Sequence, residues 1–165
     1  MKKILFTGIL IMAAFLQPGR AQQEVSAQLS PLLTHYYQVK DALVEGNAAA
    51  AATAANGFAA AAEAVDVSAL PAAEQAAYAP LSGKLAADAK AIAGAKDIGR
   101  QRDAFKTFSA SFYLLAKAAP LSAQPVFQVY CPMKKAYWLS SSSTIKNPYY
   151  GSRMLTCGKV SDTIK

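Results

Sequence analysis

Residues 97–120 read DIGRQRDAFKTFSASFYLLAKAAP, and this stretch decides the fold of the first two thirds of the chain. Its large apolar residues recur at steps of seven, three, four and three: Ile98, Phe105, Phe108, Phe112 and Leu115. Such steps place the side chains on one face of an α-helix. Asp97 is a suitable N-cap, and Pro120 cannot continue a helix. The stretch therefore predicts an amphipathic helix whose aromatic face lies in a core.

Two helices are predicted at the start of the mature chain. The first has an apolar stripe made by Leu29, Leu32, Tyr36, Val39 and Leu43. Gly46 supplies a helix stop, and Asn47 supplies a start signal for the second helix. This second helix covers roughly residues 48–65 and is dominated by alanine, with Phe58 and Val65 as its larger core residues. Alanine favours helix strongly and permits close packing between helices, although it buries little area.

A third helix is predicted between the alanine-rich helix and the aromatic one. Pro71 suits its first turn, and its stripe consists of Tyr78, Leu81, Leu85 and Ile92. Pro80 means either that the helix begins near this residue or that it kinks there. Gly94 ends the segment. Four amphipathic helices with short connections predict an all-α fold, an antiparallel four-helix bundle over residues 22–119.

The remaining residues, 120–165, differ in composition. They contain six basic residues and one acidic residue, and they are rich in aromatic side chains. Val126, Phe127, Val129 and Tyr130 favour a short extended segment, and residues 136–139 are apolar enough to pack on the bundle. The regular structure is too sparse for independent folding. We therefore expect a short irregular or extended tail that wraps the bundle as part of one folded domain.

The first 21 residues have the pattern of a signal peptide. Lys2 and Lys3 precede an apolar run over residues 4–16, and small residues allow cleavage after Ala21. This run is shorter than the roughly 20 residues of a membrane span. Cleavage would lower the net charge from +7 to +4 because Lys2, Lys3 and Arg20 leave with the signal peptide. We expect an exported periplasmic protein without a transmembrane segment, for which nucleic acid is not a suitable partner.

Cys131 and Cys157 are the only cysteines and admit two interpretations. In an exported protein they are most simply a disulfide. The chain-entropy model gives roughly 3.5 kcal/mol of stabilisation for the loop that a bond between residues 131 and 157 would close. The alternative includes Met133 and Met154, because thiolate and thioether are soft ligands that select Cu(I) and similar ions. Two arms, C-P-M and M-L-T-C, would then supply a site with three or four sulfurs.

Other residues near the cysteines support the metal interpretation without deciding it. Lys134, Lys135 and Arg153 would favour ionised thiols. Trp138 either lies against a bound cation through a cation–π contact or is buried in the core. His35 is the only histidine and is expected at the surface or in a hydrogen bond. No catalytic motif accompanies these residues, so we expect that the protein is not an enzyme.

Several motifs carry a resemblance to a known family. They are Tyr130-Cys131-Pro132-Met133, Trp138-Leu139-Ser140, Asn147-Pro148-Tyr149-Tyr150-Gly151 and Met154-Leu155-Thr156-Cys157-Gly158. They resemble a secreted domain-of-unknown-function family, which is also appended to periplasmic adaptor subunits of copper/silver-type heavy-metal efflux systems. The resemblance implies a helical bundle with the two sulfur arms and an association with heavy-metal handling. C-P-M in copper-transport proteins usually continues into histidine, whereas Lys134 and Lys135 follow in this chain.

Two functional expectations follow. In the first, the protein binds or carries Cu(I) or Ag(I) through Cys131, Met133, Met154 and Cys157, and it assists a periplasmic heavy-metal efflux component. In the second, Cys131 and Cys157 form a disulfide, and the protein is a stapled helical module that docks a periplasmic partner without any metal.

Overall fold

The computed structural model describes residues 24–165. The predicted signal peptide and its cleavage after Ala21 lie outside the described residues. Within residues 24–165, no helix combines the length and the apolar character needed to cross a membrane.

Four helices form the first part of the described chain. They are α1 (Ser30–Glu45), α2 (Ala48–Glu63), α3 (Ala72–Ala93) and α4 (Ile98–Ala118), with a 3-10 turn at Val67–Ala69 between α2 and α3. Each helix packs against the next along the chain. Because the connections are too short for a crossover, consecutive helices run in opposite directions.

The helix ends follow local sequence chemistry. Gly46 adopts a left-handed conformation with φ of 77°, and Asn47 accepts a hydrogen bond from the backbone N–H of Ala50 at 3.0 Å. The Asp97 carboxylate caps α4 by accepting from the backbone N–H of Arg100 at 2.9 Å. Helix α3 continues through Pro80 instead of beginning there. The predicted start and stop signals at Gly46, Asn47 and Asp97 are therefore confirmed.

Aromatic rings fill the core between α1, α2 and α4. Tyr36 stacks on Phe112 with ring centroids 4.7 Å apart, and Phe58 meets Phe108 edge-on at the same centroid distance. The five rings of this cluster, namely Tyr36, Phe58, Phe105, Phe108 and Phe112, are fully buried. The predicted aromatic face of α4 thus lies in the core.

The all-α fold prediction is wrong because the residues after α4 form an antiparallel sheet. Its strands are β1 (Val126–Cys131), β2 (Ala136–Ser140) and β3 (Lys159–Ile164), in the spatial order β2-β1-β3. The irregular tail expected over residues 120–165 is thus a three-stranded sheet with connecting turns. The protein combines a helical bundle with a small sheet.

Two features of the sequence explain why this sheet forms. Residues 132–135 reverse the chain between β1 and β2, and Lys135 adopts a positive φ of 52° at the end of this turn. Val129 and Cys131 of β1 and Trp138 of β2 are buried on the same face of the sheet, so the two strands contribute one apolar surface. In contrast, β3 is a largely polar edge strand that pairs with β1 across a bulge at Gln128/Val129. Its pairing with β1, more than its own composition, makes it a strand.

Hydrogen bonds between buried groups join the sheet to the bundle. The Tyr36 hydroxyl on α1 accepts from the backbone N–H of Leu139 at 2.9 Å and lies 2.6 Å from the Ser109 hydroxyl. The buried Arg102 guanidinium on α4 donates to the carbonyl oxygens of Pro148 at 2.9 Å and Leu43 at 2.7 Å. The helices and the segment between β2 and β3 are therefore held in one arrangement.

Candidate functional site

The two cysteines meet at one end of the sheet. Cys131 is the last residue of β1, and Cys157 lies two residues before β3. Because β1 and β3 are antiparallel neighbours, these positions come together, and the two Sγ atoms are 3.7 Å apart. Both side chains are free thiols in this structure. We call Cys131, Cys157, Met133 and Met154 the sulfur site.

The Cys131 sulfur is fully buried and accepts two hydrogen bonds. One comes from Nδ2 of Asn147 at 3.2 Å, and the other comes from the backbone N–H of Lys134 at 3.4 Å. The second bond exists because the chain turns sharply after Pro132, which brings the backbone of Lys134 back over the sulfur. The β1–β2 turn therefore directs a backbone donor at Cys131.

Cys157 is half-buried and has a different environment. Burial raises the pKa of the Cys157 thiol, the nearby Cys131 thiol adds to this rise, and the backbone N–H of Met133 acts in the opposite direction. The expectation that Lys134, Lys135 and Arg153 keep the thiols ionised is therefore wrong for Cys157. One reason is that the Lys134 ammonium is paired with the Asp103 carboxylate on α4 at 2.6 Å.

Asn147 is a component of the site that the sequence patterns do not single out. It is fully buried, and its Nδ2 donates to the Cys157 carbonyl oxygen at 2.7 Å as well as to the Cys131 sulfur. Its Oδ1 accepts from the backbone N–H groups of Tyr149 at 2.8 Å and Tyr150 at 3.3 Å. In the sequence Asn147 is simply the residue before Pro148 in a turn; only its place in the resembling Asn147–Gly151 motif marks it.

The two methionines lie at the outer side of the sulfur site. Met133 has 63% of its surface exposed and Met154 has 36%, whereas Cys131 has none. The Met154 carbonyl accepts the Cys157 N–H at 3.1 Å, and the backbone N–H of Met133 acts to lower the pKa of the Cys157 thiol. The fold thus brings the two predicted thiols together, with Met154 joined to Cys157 through the backbone, and a ligand role for the two methionine sulfurs stays a prediction.

This arrangement suits two kinds of sulfur chemistry. A separation of 3.7 Å is that of two sulfurs in van der Waals contact. It is also about the edge length, roughly 3.7 Å, of a tetrahedral site with metal–sulfur bonds of about 2.3 Å. In residues 24–165, no three His, Cys, Asp or Glu side chains are grouped to hold a metal ion. A three- or four-coordinate metal bound by Cys131 and Cys157 would need methionine sulfur or a ligand from outside.

The remaining two candidate residues lie in different surroundings. Trp138 is only 1% exposed, and its ring meets Tyr149 edge-on with centroids 6.1 Å apart, so it belongs to the core. A cation–π role for Trp138 toward a bound ion stays a prediction. His35 is half-buried on α1, where its Nδ1 lies 3.0 Å from Oε1 of Gln38 and its ring packs against Gly57 of α2.

Comparison with known proteins gives one match. Residues 32–124 match the model of a family described as "Protein of unknown function (DUF3347)". The matched range covers more than half of the chain and includes α2, α3, α4 and all but the first two residues of α1, but it ends before β1 and the sulfur site. No curated protein and no solved structure matches significantly.

Proposed function

This chain belongs to the DUF3347 family of proteins of unknown function, and we propose that it is an exported protein that binds a soft metal ion, Cu(I) or Ag(I), at the sulfur site. Cys131 and Cys157 are the primary ligands, and Met133 and Met154 complete the site. The observation that carries this proposal is the approach of the two thiols to 3.7 Å beside two exposed thioether residues.

Hydrogen-bond donors around the sulfurs support metal binding. The Cys131 sulfur accepts from Asn147 Nδ2 and from the backbone N–H of Lys134. Donors directed at sulfur stabilise a metal-bound thiolate, because they offset the negative charge that the ligand carries. Such donors orient the ligands before an ion arrives.

The chemistry of the four residues selects the kind of ion. Thiolate and thioether sulfur favour Cu(I) and Ag(I) over hard cations such as Mg²⁺ or Ca²⁺. Met133 is mostly exposed, so its side chain can turn toward an ion without any loss of core packing. The residue has three rotatable side-chain bonds, which makes this adjustment inexpensive.

The biological setting rests on the sequence. The signal-peptide pattern of residues 1–21 and the resemblance to domains on efflux adaptors support a periplasmic role in copper or silver resistance. In this role the protein would carry the ion to, or receive it from, a periplasmic heavy-metal efflux component.

Competitive titration of the reduced protein with a chromogenic Cu(I) chelator tests the proposal. We expect one tightly bound Cu(I) per chain. Cys157→Ser should lower the affinity at least a hundredfold, and Met133→Leu or Met154→Leu should lower it about tenfold with little change in stability, since Met and Leu have similar volumes. Leu114→Ala, which shortens an exposed side chain on α4, is the control and should bind like the parent protein.

The disulfide-stapled module is a second candidate, favoured by the complete burial of Cys131 and the 3.7 Å approach of the two sulfurs. Protein isolated from the periplasm without reductant would then contain no free thiols. Absence of Cu(I) uptake after reduction, or uptake that is unchanged in Cys157→Ser, would overturn the metal proposal. Failure of both methionine variants to weaken binding would remove Met133 and Met154 from the ligand set.

A further inference from the structure

Asn147 makes more polar contacts at the sulfur site than any ligand residue makes. Its side-chain amide donates to the Cys131 sulfur and the Cys157 carbonyl, and accepts from the N–H groups of Tyr149 and Tyr150. Because a backbone N–H can only donate and a carbonyl can only accept, these partners fix which end of the amide carries the nitrogen. The orientation of Asn147 is therefore determined by its surroundings.

The backbone around Asn147 is itself anchored. Its own N–H donates to the Leu155 carbonyl at 2.8 Å, and its carbonyl accepts from the Gly151 N–H at 2.9 Å. The next residue, Pro148, accepts from the buried Arg102 guanidinium on α4. The Asn147 amide is thus a spacer that is rigidly attached to the bundle and reaches both cysteine segments.

From this geometry we infer that Asn147 is the positioning residue of the sulfur site: one amide nitrogen holds the end of β1 and the segment before β3 at the spacing that lets the two sulfurs act together. The inference deepens the proposed function by naming what arranges its ligands. It applies equally to the metal-free protein, in which the same spacing governs how readily the two thiols form a disulfide.

The metal-free readout is the equilibrium with glutathione. In this reaction the two protein thiols reduce one glutathione disulfide, the Cys131–Cys157 bond forms, and two molecules of reduced glutathione are released. Its equilibrium constant measures the effective concentration of one thiol at the other. The second readout is the Cu(I) affinity of the reduced protein, measured with the same competing chelator.

Asn147→Asp is the decisive variant because it keeps the size of the side chain and the Oδ1 acceptor for the N–H groups of Tyr149 and Tyr150. It loses the two N–H donors, and its carboxylate faces the Cys157 carbonyl. We expect the glutathione equilibrium constant and the Cu(I) affinity each to fall about tenfold or more. Asn47→Asp makes the same change at the N-cap of α2 and should alter neither quantity.

A second control separates positioning from general stability. Tyr149→Phe removes the hydrogen bond from the Tyr149 hydroxyl to the Tyr137 carbonyl at 2.5 Å, in the same turn as Asn147. It should lower the melting temperature without changing the glutathione equilibrium. If Asn147→Asp does not fold, Asn147→Ser, which retains an oxygen acceptor, replaces it, with the same expected loss.

The results distinguish the positioning role of Asn147 from metal binding at the sulfur site. An unchanged glutathione equilibrium in the Asn147 variants, or an equal change in Tyr149→Phe, overturns the positioning role. A parent protein that binds no Cu(I), combined with a shifted glutathione equilibrium in Asn147→Asp, overturns the metal proposal and supports the positioning role.

Discussion

Gly151 shows how a single residue holds the turn that presents Asn147 to the sulfur site. Its φ is 57°, and a Cβ at this position would lie 2.6 Å from Arg102 Nη2 and 2.8 Å from the Val44 carbonyl. Both neighbours belong to the bundle, and the buried Arg102 guanidinium donates to two carbonyl oxygens. The backbone at Gly151 therefore approaches α1 and α4 as closely as a residue without a side chain permits.

Gly151→Ala is expected to destabilise the protein by about 1–3 kcal/mol, because the added methyl group both strains the backbone and displaces Arg102. The measurement is the free energy of unfolding in denaturant. Gly83→Ala is the matched control, since a Cβ at Gly83 in α3 meets nothing within 4 Å. The control should stabilise the protein by about 0.5–1 kcal/mol. Equal effects at the two positions would contradict the close approach at Gly151.

At the scale of elements, α3 contains a proline that interrupts its hydrogen bonding. Pro80 lies within the helix and is exposed, so the Ala76 carbonyl one turn earlier lacks its usual backbone donor. Pro80→Ala supplies this donor and is expected to raise the free energy of unfolding by about 1–3 kcal/mol. Pro71→Ala is the control: Pro71 precedes the first turn of α3, where no helical N–H is required, and its replacement should be nearly neutral. A loss of stability in Pro80→Ala would contradict the gain expected from restoring this hydrogen bond.

The helices could be predicted from the sequence and the sheet could not, for a physical reason. Large apolar residues on α1 and α4 recur at helical spacing, and Asn47 and Asp97 cap their helices through contacts within three residues. In contrast, β3 reads KVSDTI and lies at the edge of the sheet. An edge strand with mostly polar side chains has no strong local signal, and its conformation depends on pairing with β1.

The same distinction applies to the sulfur site. The spacing of Cys131 and Cys157 with their methionines predicted one site, but only the antiparallel pairing of β1 and β3 brings the thiols to 3.7 Å. Asn147 could not be identified from spacing, because a buried asparagine and a turn asparagine look alike in sequence. Its role comes from partners that are 10 and 16 residues away.

At the scale of the whole molecule, buried tyrosines connect the bundle to the sheet. Burial raises the pKa of Tyr36 and of Tyr149 well above the ordinary value, and burial together with Asp41 raises the pKa of Tyr37 to about 12. The neutral phenol is thus the form that the folded protein holds. Ionisation of Tyr36 or Tyr149 would place a negative charge in the core.

This coupling predicts unfolding at alkaline pH. The pKa of each tyrosine is raised in the folded state, so its contribution to stability is fully present below pH 10, the ordinary value, and is lost as the pH rises toward the folded value. Above pH 10 the unfolded chain releases these protons while the folded chain keeps them. Each such tyrosine should therefore lower the free energy of unfolding by about 1.4 kcal/mol per pH unit.

Denaturant unfolding between pH 8 and pH 11.5 measures this slope. The stability of the parent protein should decline steeply above pH 10, and phenolate absorbance should appear together with unfolding. Tyr149→Phe should be less stable at pH 8, because the Tyr137 carbonyl loses its hydrogen-bond donor. Above pH 10 its free energy of unfolding should fall less steeply than that of the parent protein, by the slope that corresponds to about one proton per molecule. Lysines also titrate in this range, and the difference between parent and variant isolates the tyrosine. Identical slopes would mean that Tyr149 ionises in the folded protein and that its hydroxyl is accessible to solvent.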